Sequence, residues 1–154
     1  MSAPLDTALA RKWKLEVDTS ATETPTWVPV RGITNFTPGT TPTVQSTDDY
    51  DSDGWGADEK TMLKWANAVQ LLRKKSDATT YDPGQEALRA KSDQFGSAGT
   101  AHIRWYDRDG GPEAFEGRAN VSWEPQGGAT ADVENVTVNL TGKGARTAIT
   151  NPAA

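Results

Sequence analysis

The 154-residue sequence contains no cysteine and only one histidine. The first absence excludes a disulfide framework and thiolate chemistry, and the second leaves His102 without the partners that a nitrogen- or sulfur-rich metal site needs. No charged-then-apolar leader and no apolar run of bilayer length are legible, so assembly in a reducing cytosol is the expected setting. Cationic excess is missing as well. A formal charge of -5 and a pI near 4.9 argue against a protein that grips phosphates, because such affinity depends on neutralisation by lysine and arginine. Apolar residues make up only 35% of the chain, lean for a compact monomer, yet six tryptophans supply large burial areas, some of them available for contact with other subunits.

Hydrophobic periodicity predicts a mainly β domain occupying the whole chain, 1–154, with an N-terminal arm over 1–10 and a frayed tail over 145–154. Arg11 to Asp18 alternates Trp13, Leu15 and Val17 against Lys12, Lys14, Glu16 and Asp18, which reads as a strand. Trp27–Val30 resumes extended structure, short or at an edge because Pro29 cannot donate to a ladder. Pro38, Gly39 and Pro42 mark Thr34–Thr43 as a turn or extended connection, and Thr43–Tyr50 offers a further strand. Asp48–Lys60 reads as a long acidic loop. Met62–Lys74 fits a helical face through Trp65, Val69 and Leu72 and a strand face through Trp65, Asn67, Val69 and Leu71.

A helix start is written at Asp82-Pro83-Gly84-Gln85, with Asp82 as N-cap, Pro83 at the first helical position and Gln85 placed for a capping box; the helix is expected to reach about Lys91. His102–Asp107, the turn Asp107–Gly111 and Glu113–Trp123 form a predicted hairpin, with Phe115, Gly117, Ala119, Val121 and Trp123 on one face. After a Gly127-Gly128 turn, Val136, Val138 and Leu140 face one way and Asn135, Thr137, Asn139 and Thr141 the other. That polar face is uncharged.

Several patterns invite a chemical reading and fail it. Asp49-Tyr50-Asp51-Ser52-Asp53-Gly54 opens like a calcium loop, but Lys60 stands where the bidentate carboxylate belongs and Glu59 sits one residue early. Glu113 and Glu116 form an acidic pair with no nucleophile, base and oxyanion set to complete a site, and Gly96-Ser97-Ala98-Gly99 is no nucleophile elbow. No catalytic, cofactor-binding or metal-ligating residue is therefore assigned. Sequons at Asn35, Asn120, Asn135 and Asn139 read as polar strand faces. Trp13, Trp105 and Trp123 follow strand periodicity into a core, whereas Trp55 lies between two glycines in the acidic loop, where a tryptophan is an interface anchor. Arg73-Lys74-Lys75 is a strand-end cluster and a candidate salt partner for a neighbour's acidic loop.

The order Gly54-Trp55-Gly56-Ala57-Asp58-Glu59-Lys60-Thr61, Trp65, Leu71-Leu72-Arg73-Lys74, Tyr81-Asp82-Pro83-Gly84-Gln85 and Leu140-Thr141-Gly142-Lys143-Gly144 resembles the major tail protein of long-tailed phages of actinobacterial hosts, over about Ala10 to Arg146. The resemblance favours a strand for Met62–Lys74. It implies a β-sandwich or partial barrel with one short flanking helix, and hexameric rings stacked into a tube around a DNA channel. It implies no catalytic or cofactor residue. It also implies assembly in the host cytoplasm into the virion tail, with tail-tip, tape-measure and tail-terminator proteins as partners and DNA passing without specific binding.

Under that resemblance, Trp55, Asp49, Asp51, Asp53, Asp58, Glu59, Arg73, Lys74 and Lys75 are subunit or ring interface candidates. Asn135, Thr137 and Asn139 are lumen-facing candidates, although periodicity alone does not choose between the faces. Two other readings compete. One is a monomeric β-sandwich that binds carbohydrate or another ligand through exposed tryptophans, and the other is the inner-tube protein of a contractile injection system.

Overall fold

The computed structural model describes residues 3–154, so the first two residues of the arm lie outside it. Eight antiparallel strands form one sheet: β1 (Trp13–Asp18), β2 (Trp27–Pro29), β3 (Ile33–Ser46), β4 (Asp58–Leu72), β5 (Thr100–Asp107), β6 (Ala114–Pro125), β7 (Asn135–Gly142) and β8 (Thr147–Ala148). The order across the sheet is β2-β1-β5-β6-β7-β4-β3, with β8 added to β6. Among the described residues one α-helix, α1 (Pro83–Ser92), of ten residues, packs on it.

The sheet is curled. β1 and β3 are five strand steps apart, about 24 Å if the sheet were flat, yet the rings of Trp13 and Phe36 meet with centroids 5.8 Å apart. Trp65 of β4 and Trp105 of β5 likewise stack at 5.0 Å across two intervening strands. The edges β2 and β3 are not hydrogen-bonded to each other, so the result is a partial barrel. Inside lie Leu15, Val17, Val69, Leu71, Leu88, Ile103, Trp105, Val136, Val138 and Leu140, all essentially without solvent contact. The strand stripes explain this core, since Trp65, Asn67, Val69 and Leu71 alternate inward along β4 and Val136, Val138 and Leu140 along β7.

Helix α1 begins as its sequence dictates: the Asp82 carboxylate accepts from the Gln85 amide at 3.2 Å, with Pro83 at the first position. The reciprocal half of the capping box does not form. The Asp82 amide donates to the Lys74 carbonyl, and the buried Gln85 side chain instead donates to the carbonyls of Arg31 (2.7 Å) and Leu72 (2.8 Å) and accepts from Lys74 N (3.2 Å) and Arg73 Nη1 (3.2 Å). Gln85 thereby ties the segment between β2 and β3 to the end of β4, reinforcing the junction that Leu72 N makes with the Gly32 carbonyl. Gly84 lies against the Pro29 backbone so closely that any side chain there would collide with it.

Three expectations are corrected. The connection expected at Thr34–Thr43 and the separate strand after it are one 14-residue strand, β3, which tolerates Pro38 and Pro42 because it is the sheet edge and both prolines fall on the same parity, with nitrogens free to face away from β4. The acidic loop ends earlier than Lys60, since Asp58, Glu59 and Lys60 already pair with Ser46, Gln45 and Val44. Residues 145–154 do not hang free: Thr147 and Ala148 pair with β6, and the buried Asn151 amide donates to the carbonyls of Asp107 (2.8 Å) and Gly111 (2.7 Å), pinning the tail to the β5–β6 turn.

Candidate functional site

Two surfaces carry features that folding of the isolated chain does not use. The first is a projecting hairpin. β4 pairs with β7 only from Ala66 to Leu72, so the β3–β4 ribbon runs on beyond the sheet from about Thr41/Lys64 outward as two strands alone. Two-stranded hairpins in water are marginal. This one nevertheless exposes Val44, Met62 (68% exposed), Leu63 (63%), Tyr50 and Trp55 (80%). Leu63 continues the inward stripe of Trp65 and Asn67 past the point where there is a core to receive it.

The tip is built, not loose. Thr47 N donates to the Ala57 carbonyl, and Asp48 Oδ1 accepts from Ala57 N at 2.6 Å, closing the base of the loop. A 3-10 turn over Tyr50–Ser52 is capped by Asp49, whose carboxylate accepts from Asp51 N (2.9 Å) and Ser52 Oγ (3.1 Å), while Ser52 Oγ accepts from Asp49 N. Asp53 and Gly54 both take the left-handed conformation that reverses the chain (φ 57° and 84°). Asp49 is thus spent on the loop itself. Asp51, Asp53, Asp58 and Glu59 project into solvent, and no cluster of metal-ligating side chains converges among the described residues.

At the far end of the same ribbon lie the cationic candidates, and the structure separates them. Arg73, with a side chain only 8% exposed, pairs with Glu86 at 2.6 Å and lies over the rings of Tyr81 (4.0 Å) and Trp123 (5.2 Å). It is consumed inside its own subunit and is withdrawn as a partner for a neighbour's loop. Lys74 and Lys75 remain exposed beside an open cleft of about 510 Å³ whose walls include Arg31, Gly32, Tyr81, Asp82 and Pro83.

The second surface is the outer face of β3, β4, β7 and β6. Register places Asn35, Thr37, Gly39 and Thr41 of β3 beside Gln70, Ala68, Ala66 and Lys64 of β4. These continue to Thr137, Asn139 and Thr141 of β7 and then to Glu124, Ser122 and Asn120 of β6. Asn135 opens the same row opposite Leu72. Small neutral polar groups cover this face almost throughout, and all four sequon asparagines lie on it. The other half of the sheet exterior is different: Arg104 pairs with Glu16 at 2.8 Å and lies over Trp27, and His102 sits 3.3 Å from Asp18 and 3.6 Å from Glu116. Burial and the adjacent Glu16 push the Tyr106 hydroxyl up to about 12, which keeps it protonated beside this charged cluster. Sequence reasoning named Asn135, Thr137 and Asn139. It missed the β3 and β4 members because the prolines masked β3 and with it the register.

A curled antiparallel sheet, one short α-helix packed on it and a long ribbon running beyond its edge make up the fold, and that fold is shared with solved tail tube structures. Among solved structures it is similar to the tail of an empty gene transfer agent (GTA) particle determined by helical refinement with C6 symmetry, at 11% identity and a TM-score of 0.71 over 93% of this chain and 99% of that one. It is similar to a chain of the native GTA virion at 11% identity and a TM-score of 0.68, covering 92% and 98%. It also matches the SPP1 tail tube, at 14% identity and a TM-score of 0.65, covering 94% and 81%. No family model and no curated protein matches the chain.

Proposed function

We propose that the chain is a structural subunit of a phage tail tube that self-assembles into stacked hexameric rings forming the conduit for DNA ejection. The observation that carries this reading is the projecting β3–β4 ribbon, which exposes Trp55, Met62 and Leu63 on a pre-formed scaffold in a chain whose fold is that of tail tubes. Exposed apolar residues on a lone hairpin are a liability unless another surface covers them. Heterologous contacts that close by rotation make rings, and those that do not close make stacks. The largely neutral face containing Asn135, Thr137 and Asn139 suits a lumen, since, with Lys64 and Glu124 at its margins, it offers little cationic grip to a passing phosphate backbone and no aromatic platform for bases.

On this reading the chain is not an enzyme. Its partners are further copies of itself, with tip, tape-measure and terminator proteins at the ends of the tube, and its place is the virion tail after assembly in the host cytoplasm. Negative-stain electron microscopy of the concentrated protein, with and without tail-tip seeds, tests it. Hollow tubes or rings support the reading, and persistent monomers after seeding overturn it. Trp55→Ala is expected to reduce tube yield strongly while circular dichroism of the monomer stays unchanged. Wild-type yield from that variant would remove Trp55 from the interface.

A further inference from the structure

The ribbon formed by β3 and β4 is electrically polar along its length. Residues 48–60 hold Asp48, Asp49, Asp51, Asp53, Asp58 and Glu59 against Lys60 alone. Of the chain's 21 acids and 16 bases, six and one fall in this segment, leaving fifteen of each elsewhere, so the whole formal charge of -5 is carried by one end of one ribbon. At its other end, Leu72 N donates to the Gly32 carbonyl and Ile33 pairs with Leu71, which brings Arg31, Lys74 and Lys75 together around the cleft. Among the described residues none of these three cations forms an ion pair.

The carboxylates near the cleft do not neutralise it by direct contact. Asp82 accepts from the backbone of Arg31 and Gln85, each at 3.2 Å. Asp77, in the adjoining turn, accepts from Thr79 and Thr80, and those hydrogen bonds hold its carboxyl below the usual range. Glu86 is taken by Arg73 and Arg89. Arg73, fixed over Tyr81, makes one wall rigid.

We propose that the acidic tip of one subunit docks in the Arg31–Lys74–Lys75 cleft of a second copy in the adjacent ring, so that ribbons join head to tail along the tube. The proposal rests on the tube reading above and deepens it by naming the receptor for the tip and the direction of stacking. Within one chain the contact is impossible, because the 15 residues of β4 separate tip from cleft by roughly 50 Å at about 3.3 Å per residue. Two unlike ends on one rigid element form a heterologous contact that repeats by translation without closing, which is the geometry of a filament. Opposite charge sets the polarity, since tip-to-tip and cleft-to-cleft approaches are repulsive.

The absence of cysteine makes a direct test clean. A variant carrying Asp53→Cys and Lys75→Cys is assembled, oxidised and run on a non-reducing gel, with each single-cysteine variant as control. Because a disulfide needs Cα atoms within about 7 Å, any bond between the two engineered sites joins separate copies. Head-to-tail stacking predicts a ladder extending past six subunits. A ladder ending at six would place the contact within a ring and overturn the proposal, as would well-formed tubes without a ladder.

Charge exchange gives an independent reading. Lys74→Glu with Lys75→Glu, and separately Asp51→Lys with Asp53→Lys, are expected to lower tube yield about tenfold, and combining all four to restore most of it. Wild-type yield from both charge-reversed variants would also overturn the docking. If the unmodified chain forms neither rings nor tubes even when seeded, the tube reading itself has failed, a result distinguishable from tubes that assemble without this contact.

Discussion

Gln85 shows how one buried side chain can fasten the junction of a helix, a connection and a strand end. It is fully buried and makes four hydrogen bonds, two donated and two accepted, to two segments, Arg31 and Leu72–Lys74, just beyond the point where the β3–β4 ladder ends. Gln85→Leu keeps the volume but strands those groups, and a loss of about 2–4 kcal/mol is expected in urea unfolding of the subunit, against near neutrality for an exposed change such as Arg89→Gln. Asp18 gives a pH-dependent counterpart. Burial would raise its pKa, but hydrogen bonds from Ser20, Thr26 and His102 outweigh that and hold it at about 2, against an ordinary 3.8. A depressed carboxylate stabilises the fold above its unfolded value and loses that contribution as pH falls from 3.8 through about 2. Stability worth about 2 kcal/mol should therefore vanish across that acid window in the wild type, while Asp18→Asn is weaker at neutral pH and flat across it. An equal acid slope in the variant would assign the effect to other carboxylates.

Among the elements, β3 is the most exposed to misuse, because an edge strand of 14 residues presents a long row of unsatisfied backbone groups. Pro38 and Pro42 remove two donors from the outward parity without breaking the pairing to β4. Replacing both with threonine should leave the fold intact and raise aggregation of the dilute subunit, measured by light scattering; unchanged scattering would deny the prolines that role. The same residues explain what the sequence hid. Proline and glycine ordinarily punctuate, so β3 reads as a connection, and only a neighbouring strand could reveal it as an edge. Elements with a two-residue period and clean turns, β1, β5, β6 and β7, were legible because one face is core and the other is wet. The candidate tip was legible through Trp55 and its glycines, whereas Arg73 was misread because burial by Glu86, Tyr81 and Trp123 brings together residues distant in sequence.

At the scale of the whole molecule, charge is partitioned rather than spread. The body is neutral by count, the tip holds the excess, and a cation cleft waits at the opposite end of the same ribbon. That arrangement makes a quantitative demand on assembly that an apolar contact alone would not. Screening shortens the Debye length from about 10 Å at 0.1 M salt to about 3 Å at 1 M, and steered encounter between unlike charges slows accordingly. Tube elongation followed by light scattering should therefore slow several-fold across that range, while the thermal midpoint of the unassembled subunit changes little, since the Arg104–Glu16 pair is largely buried and the Arg73–Glu86 pair, open to solvent at Glu86, contributes little that salt can remove. Contacts made only by Trp55, Met62 and Leu63 would respond in the other direction, because salt does not screen apolar burial and often strengthens it. The sign of the salt effect thus separates a stack guided by the acidic tip from one held by the hairpin's apolar residues alone, and faster elongation at high salt would leave the cleft without its role.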